Sequence, residues 1–146
     1  MKTKIFGIIA AALAAGAVSV GCTSSSGGSS GSGNTPAAAP MPAASSFTAG
    51  ACRNAADHVI ALGEISGRLQ GKTDIPMADR SALATHQEAI RTMLPKVTDT
   101  KVKTPLQTLV TTVGWTRLRL DLQSYDPALL DAVAKADADT RAVCVR

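Results

Sequence analysis

Aromatic side chains are nearly absent from this 146-residue chain: one Trp, one Tyr and two Phe amount to 3% of it. So few rings offer no platform on which nucleic-acid bases could stack. Histidine is as scarce. The two copies, His58 and His86, belong to no His-Glu-x-x-His arrangement, and neither Cys-x-x-Cys nor Gly-x-Ser-x-Gly occurs. Metalloprotease, thiol-redox and esterase chemistry therefore have no starting point. The Gly-rich run lacks the Gly-Lys-Ser/Thr ending that would cradle a phosphate. Charge is thin too, at 18% of residues with a net +4. Without Lys2 and Lys4 at the amino end, 13 basic side chains face 11 acidic ones, a balance that gives no reason to expect a nucleic-acid partner.

What is present begins with an address. Met1–Lys4 carry two positive charges, and Ile5–Val18 carries none. This is the layout of a signal peptide, and the run is too short for the roughly 20 apolar residues of a membrane span. Ser19-Val20-Gly21-Cys22 resembles the lipobox of bacterial lipoproteins. The resemblance implies cleavage after Gly21, a diacylglycerol on Cys22, and a mature protein tethered to a membrane of the cell envelope on its extracytoplasmic side. Beyond Cys22 the chain is Ser, Gly, Ala, Pro and Thr almost to Ser46, with no charge, so it has little with which to offset conformational entropy. The expected divisions are a signal peptide over 1–21, a lipidated Cys with a flexible linker over 22–47, and a helical domain over 48–146.

Helix signals dominate that domain. Cys52, Ala55, Val59, Leu62, Ser66 and Leu69 follow a 3-4-3-4-3 spacing, one stripe of a helix that Gly71 can close. Leu83, His86, Ile90, Met93 and Val97 form a second stripe, which Pro95 must end or kink near Leu94. Thr104-Pro105 and Asp126-Pro127 each read as a cap followed by proline in the first turn. The third helix would bury Leu106, Leu109, Val110, Val113 and Leu120, with Trp115, Leu118 and Leu122 at its edge. The fourth would use Leu129, Leu130, Val133, Ala136, Thr140, Val143 and Cys144. The alternation Arg117–Leu122 leaves a strand as the alternative there.

With Cys22 committed to lipid, Cys52 and Cys144 are the only cysteines left, in a compartment that favours disulfides. They stand at the two ends of the domain. An even number of antiparallel helices brings those ends together; an odd number separates them by a helix length, too far for a bond that needs Cα atoms within about 7 Å. The expectation is an all-α, four-helix antiparallel bundle stapled by one disulfide, the alternative being two free thiols.

The chemistry-bearing residues are few. Neighbouring helices could bring His58 and His86 together around a metal or haem, with Met77, Met93 or Tyr125 as supplementary ligands; the plainer reading makes His86 a hydrogen-bonded boundary residue and leaves His58 solvated beside Asp57. Asp137 and Asp139 imitate the start of a calcium loop but lack its glycine, and read as a solvated face. Gly63, Gly67 and Gly71 recur every fourth residue, for close helix packing or as the floor of an apolar site. In an up-down-up-down bundle the connection between the second and third helices shares an end with both domain termini. That end would gather Lys96, Lys101 and Lys103 against Asp99, together with Arg53, Arg141 and Arg146, and would face anionic lipid headgroups, the alternative being that the lysines are simply a solvated loop.

The whole plan of lipobox, Ser/Gly/Pro tether and Ala-rich helical domain between cysteines resembles small actinobacterial lipoproteins. Small haem-binding envelope proteins of mycobacteria are a looser parallel. Neither likeness carries a functional residue across. The reading is a non-enzymatic, membrane-tethered binding or interaction domain, with no catalytic residue, cofactor or metal assigned and with anionic headgroups or an envelope protein as partner. The alternative is a carrier of a small apolar ligand, haem or metal.

Overall fold

A computed structural model describes residues 40–146. The leader, Cys22 and the linker up to residue 39 lie outside the described residues. Four helices follow one another, α1 (Ala51–Leu69), α2 (Met77–Met93), α3 (Thr100–Asp121) and α4 (Ala128–Cys144), with short 3-10 turns at Ala44–Ser46 and Leu94–Lys96. Each helix packs on its sequence neighbour, and α4 closes the ring against α1. The fold is the expected four-helix bundle. Among the described residues the sole β-type pairing is an isolated bridge between Phe47 and Val145.

The stripe foreseen on α1 is buried throughout, from Cys52 to Leu69. Gly71 ends the helix at φ 73°, the left-handed region open to glycine at little cost. On α2, Leu83 and Ile90 are fully buried, His86 and Met93 half-buried. The 3-10 turn that contains Pro95 breaks the helix after Met93, and Val97 still reaches the core beyond it. Arg117–Asp121 is helical, so the strand alternative falls.

Three expectations need correction. The start of α3 is not Thr104-Pro105: the helix begins at Thr100, capped by Asp99, whose Oδ1 accepts the Lys101 N–H at 2.9 Å. Pro105 thus sits in the second turn. The earlier start lets Val102 pack against the core, and the missing N–H of Pro105 loses only its bond to the Lys101 carbonyl. On α4, Val143 is 44% exposed, because Cys144 takes the inward position and the preceding residue is turned away by about 100°. Asp126 does cap this helix, accepting the Ala128 N–H at 2.9 Å.

The third correction concerns Asp137. It is 1% exposed, not solvated. Arg141 Nε donates to its Oδ2 at 2.8 Å, and its Oδ1 has no partner among the described residues. Burial, only partly offset by Arg141, pushes its carboxyl up to about 6.

The disulfide joins Cys52 to Cys144 with Cα atoms 5.3 Å apart across 92 residues of sequence. Both cysteines lie in the core. Packing also extends into the stretch assigned to the linker. Phe47, the last residue of that stretch, is 1% exposed. Thr48 N–H donates to the Cys144 carbonyl at 2.8 Å, Arg146 N–H to that of Ser46 at 3.2 Å, and the Arg53 guanidinium to those of Ser45 and Phe47, both at 2.7 Å.

Candidate functional site

The end of the bundle that holds the disulfide also holds the α2–α3 connection. Lys96 and Val97 share a surface depression with Thr48 and Cys52, the juxtaposition that an up-down-up-down order demands. Lys96 and Lys101 are exposed and Lys103 half-buried. Lys101 and Lys103 stand in the first turn of α3 and not, as expected, in a loop. The carboxylate of the capping Asp99 offsets the positive end of the helix dipole there, so the positive charge of this turn is that of the lysines themselves. The arginines expected there are partly committed: Arg53 binds backbone carbonyls and Arg141 binds Asp137. Arg146 is exposed.

Next to this end a cavity of about 320 Å³ opens between the start of α1 and the end of α2. Ala55, Ile90, Met93 and Leu106 give it apolar walls, with Asn54 and Lys96 as polar members. Its size is at the lower edge of small-molecule pockets. The recurring glycines do not line it. A Cβ on Gly63 would collide with Met41 Cε and lie 2.7 Å from Asp137 Oδ2, whereas one on Gly67 would meet nothing within 4 Å. Only Gly63 serves close packing. It makes room for a buried carboxylate and for Met41, so the chain comes onto the bundle beside the middle of α1, about 16 Å along that helix from Cys52.

His58 and His86 do meet. Their Nδ1 atoms are 3.1 Å apart, one ring on α1 and the other on α2, and both side chains are half-buried. A contact between two neutral rings requires one Nδ1–H donor and one Nδ1 acceptor. Burial and, second, the charge of His58 both hold His86 below the ordinary histidine range. Met93 stands two turns beyond His86 on the same helix. Met77, nine residues before His86, and Tyr125, in the α3–α4 connection, belong to the other end of the bundle. The Tyr125 hydroxyl is buried without a partner among the described residues, and burial followed by Asp126 and Asp131 raises its pKa. Among the described residues no three or more His, Cys, Asp or Glu side chains converge as a metal cluster.

No family model, curated protein or solved structure matches this chain. Function must accordingly be argued from side chains. Two further surface facts bear on it. No helix among the described residues is long and apolar enough to cross a membrane. Trp115, Leu118 and Leu122, 57%, 44% and 62% exposed, recur at i, i+3 and i+7 along the half of α3 remote from the lysines, which places them on one side of the helix. The core stripe of α3 was legible by its period.

Proposed function

We propose that this chain is a lipid-anchored envelope protein whose helical domain is a non-enzymatic binding module, tethered through Cys22 and resting its lysine end on anionic headgroups. The observation that carries the reading is the convergence of Lys96, Lys101 and Lys103 at the end where Phe47 and Val145 pair. Each exposed lysine near an anionic bilayer contributes up to about 1 kcal/mol. A Gly/Ser-rich tether as long as the 19 residues from Cys22 to Pro40 would reach roughly 22–26 Å, enough to let that end touch the surface from a point of attachment on the flank. The exposed stripe of Trp115, Leu118 and Leu122 then points away from the bilayer as the place for an envelope partner. The walls of the cavity support a second reading, a carrier of a small apolar ligand.

Sedimentation with vesicles tests the resting position. A lipid-free form starting at Thr23 should bind vesicles that contain anionic lipid, release as salt rises, and bind less when Lys96, Lys101 and Lys103 are all changed to Gln. Equal behaviour on neutral and anionic vesicles refutes it. The anchor is tested apart from this: Cys22→Ala should abolish lipidation and move the protein out of the detergent phase.

A further inference from the structure

We propose that His58 and His86 form a two-imidazole site for one divalent late-transition ion, copper(II) or zinc(II), in the groove between α1 and α2. The spacing is that of two ligands on one metal. Nitrogens held 2.0–2.1 Å from an ion and 3.1 Å from each other subtend about 100° at it, between the square-planar and tetrahedral values. Nitrogens on opposite sides of a metal stand about 4 Å apart, so the pair suits adjacent coordination positions and not the two faces of a haem. Both rings come from regular helices that pack on each other, which holds them within reach of one ion before it arrives.

The rings now face each other as hydrogen-bond partners, with centroids 5.4 Å apart and planes inclined by 50°. For both lone pairs to converge on one ion, each ring must tilt by about 40°, a movement within the broad terminal torsion of histidine that leaves the helices in place. The ring that donates the shared hydrogen bond moves its proton from Nδ1 to Nε2, and no proton is gained or lost by the neutral pair. Two protein ligands leave the remaining positions to water or to a donor from outside. Room for such a donor begins one helical turn away, because Asn54, four residues before His58, and Ile90, four residues after His86, both line the cavity. Imidazole nitrogen suits copper and zinc, and copper(II) heads the affinity order among divalent ions of the first row.

The test uses the full chain with its disulfide intact and Cys22→Ala in every arm, so that no free thiol competes for the ion. Calorimetric titration with copper(II) and with zinc(II) should give one ion per chain. Nitrogen-15 spectra of the zinc form should show both Nδ1 atoms shifted by coordination and both Nε2 atoms protonated. His58→Gln and His86→Gln should each weaken binding by more than the roughly 10- to 100-fold effect of losing an outer-sphere partner. Circular dichroism reports whether each variant is folded; for one that is not, the imidazole spectra of the parent protein decide. Absence of saturable uptake, imidazole nitrogens that do not shift with zinc, or unchanged affinity in folded variants would overturn the proposal.

Discussion

Reducing the Cys52–Cys144 bond should remove about 4–5 kcal/mol of stability. The figure follows from the 92-residue separation of the two cysteines, since in the chain-entropy model the cross-link chiefly restricts the denatured chain and its effect grows with the logarithm of the closed loop. Both sulfurs are buried, Cys52 being 2% exposed and Cys144 0%, so replacement by serine would add the cost of burying a hydroxyl. Chemical reduction leaves every atom but the bond in place and is the cleaner perturbation. Urea unfolding of oxidised and reduced protein, fitted with separate slopes, gives the difference directly. In a domain of about 100 residues each kcal/mol moves the midpoint of thermal unfolding by about 4–8 °C, so a drop of at least about 16 °C should appear in a melt. Cys52→Ala, Cys144→Ala and the double variant should resemble reduced protein. A difference below about 1 kcal/mol would refute the loop-closure account, and two alkylatable thiols in unreduced protein would remove its premise.

The buried carboxylate makes stability depend on pH. Because Asp137 holds its proton more tightly folded than unfolded, with its value pushed up to about 6, the folded state binds more protons across that window and stability falls as pH rises from about 4 to 7, by up to about 3 kcal/mol. Asp137→Asn should accordingly exceed the parent in stability at pH 7.5 and lose that advantage near pH 4; a difference independent of pH would contradict the assignment. Gly63→Ala should destabilise by about 1–3 kcal/mol through overpacking against Met41 and Asp137, while Gly67→Ala, with open space around it, should stabilise by about 0.5–1 kcal/mol; thermal melts that ranked them the other way would show that Gly63 is not tightly packed. Pro105→Ala restores the hydrogen bond to the Lys101 carbonyl inside α3 and should raise the unfolding midpoint, with protection of the new amide in hydrogen exchange as the check.

The helices were legible because apolar spacing reports directly on which side of a helix faces the core, and the count of four followed from Cys52 and Cys144 through the parity of antiparallel order. Asp137 was misread for a reason that composition cannot reveal, since an acidic residue on a short helix is ordinarily solvated. Two signals did point the other way: Arg141 stands four residues later, where it can pair with it, and Gly63 removes a side chain from the facing helix. The true start of α3 lay in Asp99, whose cap was masked by a proline six residues downstream. Met41 and Phe47 were the two large apolar residues in a stretch otherwise of linker composition. They marked where the fold begins, although Ala44–Ser46 between them carry no such sign. The histidine contact was foreseeable as a possibility of neighbouring helices, but its 3.1 Å spacing depends on rotation and height, which no periodicity encodes.

The place where the chain joins the bundle also decides how it would carry mechanical load. A pull arriving from the amino side first meets the strap from Met41 to Ser46, which lies along the α1–α4 flank through Met41 and through the carbonyls held by Arg53 and Arg146. Those contacts open one after another and at low force, as a zipper does. Beyond them the pull reaches Phe47 and, five residues later, Cys52, where a covalent link passes it at once to the end of α4. Helices α2 and α3 lie inside the closed loop, off the line of tension. Were the amino side anchored as proposed, the strap could be stripped under load while the bundle behind it stayed folded.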